Sequence, residues 1–389
     1  DMREVQQELE GLELGPEEDT ETQAFLQRSF AAQQAGLRAT AALQAERRAE
    51  LDEIEARLAA ALDAIEMGRP RAMEVTWRLD LRSSVGSKMA PGLLQRVVDG
   101  DHSARILTSV DLSANRFGPD GAAALSVVLG HLSGLRELRI SETGMKAEGA
   151  LVLVKSIVAL PMLNTLDLSF NGLGGGECLP DLGAALCLLP RLTDLRLSAN
   201  KLGSDTAVLV NGLTGLIRLD LSDNELGWNS ASVLAGVPRS CLKILDLSSN
   251  NISSECVQSL GEALESFDAL EELRIGNNLL QATGTVQLLE CLRRVKYLRH
   301  LDLRLVGLGS RDVGSVGAAV GELVGISEVC LSNNELGQET AGTIIDVLGK
   351  HCLVLSNLDL SNIRRKHQLS GEPIQRSRSG AENRAPDPA

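Results

Sequence analysis

At 389 residues the chain has the length of two or three ordinary domains, yet its net charge of −14 and pI near 5.0 exclude a surface built to neutralise nucleic-acid phosphates. Aromatic residues make up only 2%, which leaves no stacking platform for single-stranded nucleic acid and points to a core of aliphatic side chains. Seven cysteines, odd in number and with no C-x-x-C pair, fit a reducing compartment such as the cytoplasm. No apolar run is long enough to span a bilayer, and no charged lead precedes an apolar block, so neither a membrane span nor a secretory signal is expected.

Residues 1–70 read as a separate acidic segment, with 16 Asp and Glu against 7 Arg. Phe30, Leu37, Leu51, Leu58 and Ile65 fall on one seven-residue lattice, which Ile54 and Leu62 broaden. That is the signature of an amphipathic helix. Its stripe either packs on the chain itself or seeks a partner helix in a coiled coil.

From residue 71 to 362 one string recurs. Its clearest copy is Leu192 to Gly203, LTDLRLSANKLG, which reads L-x-x-L-x-L-x-x-N-x-L-G. Leu195 and Leu197 share one side of a short strand, and Asn200 stands where the chain must turn away. An amide carries both a donor and an acceptor, so this Asn is able to bond its own turn and that of a neighbouring repeat. The last strand leucine falls at Leu112, Ile140, Leu168, Leu197, Leu221, Leu247, Ile275, Leu303, Leu331 and Leu360, a stride near 28. That stride predicts a helix in every repeat, as in Pro119 to Leu132 and Ser253 to Phe267, where Ser253 or Ser254 would cap through its side chain. Val75 to Gly86 is a degenerate first repeat with Trp77 in its cap, as expected of an end unit.

Seven turns keep the Asn, at Asn115, Asn171, Asn200, Asn224, Asn250, Asn278 and Asn334, while Thr143 and Val306 replace it and should interrupt the ladder. Over residues 75–362 this pattern resembles the ribonuclease-inhibitor-like subclass of leucine-rich repeat proteins. The resemblance implies an α/β fold, a curved right-handed solenoid with its parallel sheet concave and its helices convex. Residues 363–389 carry six Lys or Arg against three acids among Ser, Gly and Pro, and read as a basic disordered tail.

The residue between the two strand leucines points out of the sheet. That column runs Asp80, Asp111, Arg139, Asp167, Arg196, Asp220, Asp246, Arg274, Asp302, Cys330, Asp359. Neighbouring strands lie about 4.8 Å apart, so each Arg is expected to bridge the Asp on either side. Asp80 with Asp111, and Asp220 with Asp246, adjoin as like charges, and the second pair is the expected contact patch for a cationic partner. The candidate contact residues on this face are Asp167, Phe170, Arg196, Asp220, Asp246, Arg274, Asp302 and Leu305, with Trp228 as a separate anchor in a short repeat. A mostly serine column, including Ser113, Ser169, Ser222 and Ser248, follows and reads as turn chemistry.

Catalytic and metal-ligand constellations are not expected: the five histidines are scattered, and Gly174-Gly175-Gly176 lacks the Lys and Ser/Thr of a phosphate loop. No cofactor is expected. The sequence reading is a non-catalytic protein-interaction scaffold for a partner with a basic or polar surface, or a subunit of a larger multi-subunit assembly, with cytoskeletal or ciliary association open. The chain is also similar to Ran GTPase-activating proteins, whose functional Arg lies in an early-repeat loop. The corresponding loop, Ser141 to Glu148, has Lys146 instead, leaving Arg116 as the nearby substitute. Tropomodulin-like proteins, ciliary leucine-rich-repeat subunits and NOD-like receptor arms share the solenoid, and the repeat alone does not choose among them.

Overall fold

The computed structural model of the protein describes residues 77–80 and 107–363, apart from 176, 352 and 353. The helical segment expected over 1–70 and the basic tail from 364 lie outside the described residues. The chain divides after Asn171 into two compact units. In the first, strands β1 (Trp77–Asp80), β2 (Leu107–Asp111), β3 (Glu137–Arg139) and β4 (Thr165–Asp167) pair consecutively and in parallel. Helices α1 (Gly118–Leu129) and α2 (Lys146–Ile157) supply the crossovers after β2 and β3.

The second unit opens with α3 (Cys178–Cys187) and then carries β5 (Asp194–Arg196), β6 (Arg218–Asp220), β7 (Ile244–Asp246), β8 (Glu272–Arg274), β9 (His300–Asp302), β10 (Glu328–Cys330) and β11 (Asn357–Asp359). These also pair consecutively and in parallel. Between them lie α4 (Thr206–Val210), α5 (Ser230–Ala235), α6 (Val257–Leu264), α7 (Gln281–Leu292), α8 (Val313–Gly321) and α9 (Gln338–His351). Both units are thus α/β leucine-rich-repeat solenoid.

A three-residue strand forms because its middle leucine and the leucine two residues on share the inner side. Leu138, Ile140, Leu166, Leu168, Leu195, Leu197, Leu219 and Leu221 have no exposed surface. Parallel neighbours need a crossover, and the helices provide it with stripes at helical spacing, such as Ala122, Leu125 and Leu129 of α1. Where the stride shortens to 24 residues, between Leu197 and Leu221, a 3-10 turn (Gly203–Asp205) and the five-residue α4 replace the expected full helix. The stride leaves room for little more. Ser253 and Ser254 make no side-chain cap; the Cys256 N–H instead donates to the Ser253 carbonyl at 3.2 Å.

The turns after the strands are tied by asparagines that are all but buried. Asn250 Nδ2 donates to Leu221 O at 2.9 Å in the preceding repeat and to Ser248 O at 3.1 Å in its own. Its Oδ1 accepts from Asn224 N at 2.9 Å and Leu226 N at 3.4 Å. Asn224 does the same for Leu197, Asn200 and Leu202. Asn278 does it for Leu247, Asn250 and Ile252.

At Thr143 the tie to the following turn is kept. Its Oγ1 lies 2.8 Å from Asn171 Oδ1 and its N–H donates to the same oxygen at 3.1 Å, so the short polar side chain stays in the ladder. Val306 is different. Its backbone N–H still donates to Asn334 Oδ1 at 3.0 Å, but its apolar side chain has nothing to offer the Asn278 turn before it. The backbone rung survives there, with Gln281 N donating to Val306 O at 2.8 Å.

The residue before the ladder position repeatedly adopts positive φ: Ala114, Glu142, Phe170, Ala199, Asp223, Ser249, Asn277, Leu305 and Asn333 lie between +50° and +61°. For a bulky L residue this conformation costs on the order of 1–2 kcal/mol. Gly174 is needed for packing rather than phosphate binding, because a Cβ there would meet the Lys201 carbonyl oxygen at 1.8 Å.

Asn250→Ala strands several buried backbone groups at about 1–3 kcal/mol each and is expected to lower the urea midpoint sharply. Val306→Asn supplies the missing amide and should stabilise by about 1 kcal/mol. Urea unfolding of both variants with an unchanged slope checks this, and a destabilised Val306→Asn would show that the site cannot seat an amide.

Candidate protein-interaction face

The strand positions on either side of the buried middle leucine form the open face of each sheet, and the register aligns them across strands. In the second unit Arg196 faces Asp220, Asp220 faces Asp246, Asp246 faces Arg274, and Arg274 faces Asp302. The expected alignment of charges is present, but the expected bonding is not.

The arginines pair along their own strands. Arg196 grips Asp194 with two bonds, at 2.9 and 3.2 Å. Arg139 lies 3.0 Å from Glu137, and Arg274 lies 2.5 Å from Glu272. Among the described residues the cross-strand Arg–Asp bridge of this column is a long contact of 3.7 Å from Arg274 to Asp246. The aspartates are held instead by backbone amides, which leave carboxylate lone pairs open. Asp111, Asp167, Asp220, Asp246 and Asp359 each accept the backbone N–H of the serine two residues on, at 2.9–3.1 Å. Each makes an Asx turn that ends its strand.

The acid two residues before each arginine was visible as the repeated triplets Glu137-Leu138-Arg139, Asp194-Leu195-Arg196 and Glu272-Leu273-Arg274. Reading only the column across strands missed it. The D-L-S triplets likewise announced the Asx turns.

These local bonds change the rank of the candidate residues. Asp302 is almost covered: it accepts from the Arg304 N–H at 3.0 Å and pairs with its guanidinium at 2.6 Å. The stem of Arg304 runs over Gly276, where a Cβ would clash with it at 2.6 Å. Arg196 and Arg274 are occupied by their own strands' acids. Asp167 in the first unit is an Asx acceptor beside Arg139.

Asp220 and Asp246 remain side by side. Burial pushes the Asp246 carboxyl above its ordinary range and the Asp220 charge adds to the rise, against the bonds from Ser248 and the Arg274 charge. Among the predicted anchors, Trp228 is 73% exposed on its 3-10 turn (Gly227–Asn229), Leu305 is 49% exposed, and Phe170 in the first unit is 58% exposed. Phe170 and Leu305 also hold positive φ. Leu279, which the sequence reading passed over, is 63% exposed. Arg116 is paired at 3.2 Å with the exposed Glu142.

No group of His, Cys, Asp and Glu among the described residues could hold a metal ion, and no described helix is long and apolar enough to cross a membrane. The six described cysteines are free thiols.

A family model described as Leucine Rich repeat matches residues 104–126, 159–176 and 240–261. The chain is 30% identical over 190 residues to the Tonsoku-like protein of Danio rerio, covering 46% of this chain and 12% of that protein. It is 27% identical over 288 residues to the NACHT, LRR and PYD domains-containing protein 3 of Mus musculus, covering 70% and 27%. The chain therefore spans only about an eighth to a quarter of the length of these relatives. Among solved structures, the leucine-rich repeat-containing protein LegL7 from Legionella pneumophila superposes with a TM-score of 0.50 at 20% identity, covering 73% of this chain and 89% of that one. At that identity the likeness concerns the fold.

A carboxyl whose folded pKa is raised favours folding only while protonated, so the Asp246 contribution is present at low pH and lost as pH rises through its folded pKa. Asp246→Asn keeps an oxygen for the Ser248 N–H and removes the charge. It should stabilise the chain at neutral pH by about 1 kcal/mol or less, with the gain vanishing below the ordinary carboxylate range. Thermal melts of wild type and variant across pH 3 to 8 measure it; a pH-independent difference would contradict the charge argument.

Proposed function

We propose, this chain being a leucine-rich repeat protein of the ribonuclease-inhibitor-like subclass, that it is a non-catalytic scaffold whose open sheet face receives a partner protein with a basic or polar surface. The observation that carries this reading is the Asp220 and Asp246 pair, held side by side across β6 and β7 while Arg196 and Arg274 bond the acids of their own strands, Arg274 reaching Asp246 only at 3.7 Å. Their carboxylates are fixed by backbone amides, so a cation meets a preformed acceptor and little ordering is needed on binding.

An opposite charge within reach also favours the ionised form of Asp246, so the like-charge strain in the free protein becomes binding energy in the complex. Leu305 and Trp228, exposed apolar side chains of the same unit, supply apolar anchors. Placement in the cytoplasm and tethering into a larger assembly by residues 1–70 are parts of the same proposal.

Cross-linking mass spectrometry on the full chain is expected to place inter-protein links at Lys201 and Lys243, which flank β5 and β7. Binding of the identified partner should weaken as ionic strength rises, and Asp220→Lys with Asp246→Lys should weaken it at least tenfold. Links confined to the helical side, or salt-indifferent binding, would overturn the reading. So would acceleration of GTP hydrolysis by a small GTPase that is lost in Arg116→Ala.

A further inference from the structure

The turns that follow β6, β7, β8 and β9 line an open cavity of about 820 Å³ on the second unit. It is separate from the Asp220 and Asp246 pair. Its wall carries the carboxylates of Asp223, Glu225 and Asp312, and no Lys or Arg lines it. Asp223 and Glu225 are exposed, on the two sides of the buried Asn224.

The apolar part of the wall departs from the frame of the neighbouring repeats. At the position before the ladder residue the second unit places Ala199, Asp223, Ser249 and Asn277, and then Leu305; after it come Lys201, Glu225 and Asn251, and then Leu279. Two leucines thus stand exposed where the preceding repeats of this unit hold small or polar residues. Leu305 does so at a φ of +50°, a conformation disfavoured for a bulky side chain. Their positions are fixed: the Leu279 N–H donates to Ile252 O at 2.8 Å, and the Leu305 N–H donates to Ser332 O at 3.1 Å. Val306, the residue that replaces the ladder asparagine, is fully buried beneath this site, so Leu305 belongs to the turn of this unit whose amide is replaced by a hydrocarbon.

We propose that this cavity docks a linear segment of a partner protein in which an aliphatic side chain is flanked by Lys or Arg. The aliphatic group seats against Leu279 and Leu305, and the cations meet Asp223, Glu225 and Asp312. The partner class is the one argued for the open face, but the site is distinct. The two claims therefore fail separately.

The test uses the full chain and a fluorescein-labelled peptide Gly-Arg-Lys-Leu-Lys-Arg-Gly, with a control in which Ser replaces its Leu and another in which Glu replaces its four cations. Fluorescence anisotropy should show binding by the first peptide, at least tenfold weaker binding by the Ser control and none by the Glu control. Leu279→Ser with Leu305→Ser should weaken the first peptide at least tenfold. Asp223→Asn with Glu225→Gln should weaken it severalfold and flatten its salt dependence. Asp220→Asn with Asp246→Asn should leave it unchanged. All altered residues are exposed or half-buried, and circular dichroism melts confirm that each variant folds.

Absence of binding to the wild-type chain overturns the proposal, as does equal binding of the Leu and Ser peptides. Sensitivity to the Asp220 and Asp246 changes in place of the leucine changes also overturns it, and would move the peptide to the open face.

Discussion

The structure depends on how the chain satisfies its backbone where each strand stops. A parallel strand only three residues long must bend immediately, and the bend points N–H and C=O groups into an apolar interior where leaving one unpaired costs about 1–3 kcal/mol. An asparagine side chain meets a donor and an acceptor at once. Asn224, Asn250 and Asn278 each bond their own turn and the turn before, so one buried side chain both closes a repeat and fixes its spacing to the next. The leucine positions, the short strands and the positive φ before each ladder residue follow from that bend. Thr143 holds the same position with a hydroxyl, whereas Val306 holds it with burial and backbone bonds alone.

With the interior fixed in this way, the open face is left to local electrostatics. In the outward column Asp111, Asp167, Asp220, Asp246 and Asp359 are drawn to the amide two residues on, and Arg139, Arg196 and Arg274 to the acid two residues back. Bonds of such short sequence separation need little additional ordering, and they win over the cross-strand pairing that geometry also permits. Most of the face is thereby self-satisfied. In the second unit, Asp220 and Asp246 lie on two adjacent strands that both end in the Asx arrangement, with burial and mutual repulsion acting together on the Asp246 carboxyl. The same local logic leaves Leu279 and Leu305 exposed beside a wall of carboxylates, since neither has a polar group to enter a turn.

The relatives of this chain fit that division of labour. The repeat is shared with proteins several times its length. The acids, leucines and aromatic residues of the exposed positions are not demanded by the frame. They are where an individual interaction surface is written.

The sequence by itself determined the repeat, its stride, the inward leucines and the buried asparagines, because each follows from a period and from groups that must be paired inside. It also displayed the column of outward charges and the exposed candidates Phe170, Leu305 and Trp228. Only the tertiary structure decided which atoms those charges reach. Arg196 has acids both along and across its strands, and it is the acid two residues back, Asp194, that holds its guanidinium with two bonds. The same holds for Leu279, Leu305 and Val306, from neighbouring repeats. They meet at one site because stacked turns bring Leu279 beside Leu305 and Val306, which follow it by 26 and 27 positions in the chain.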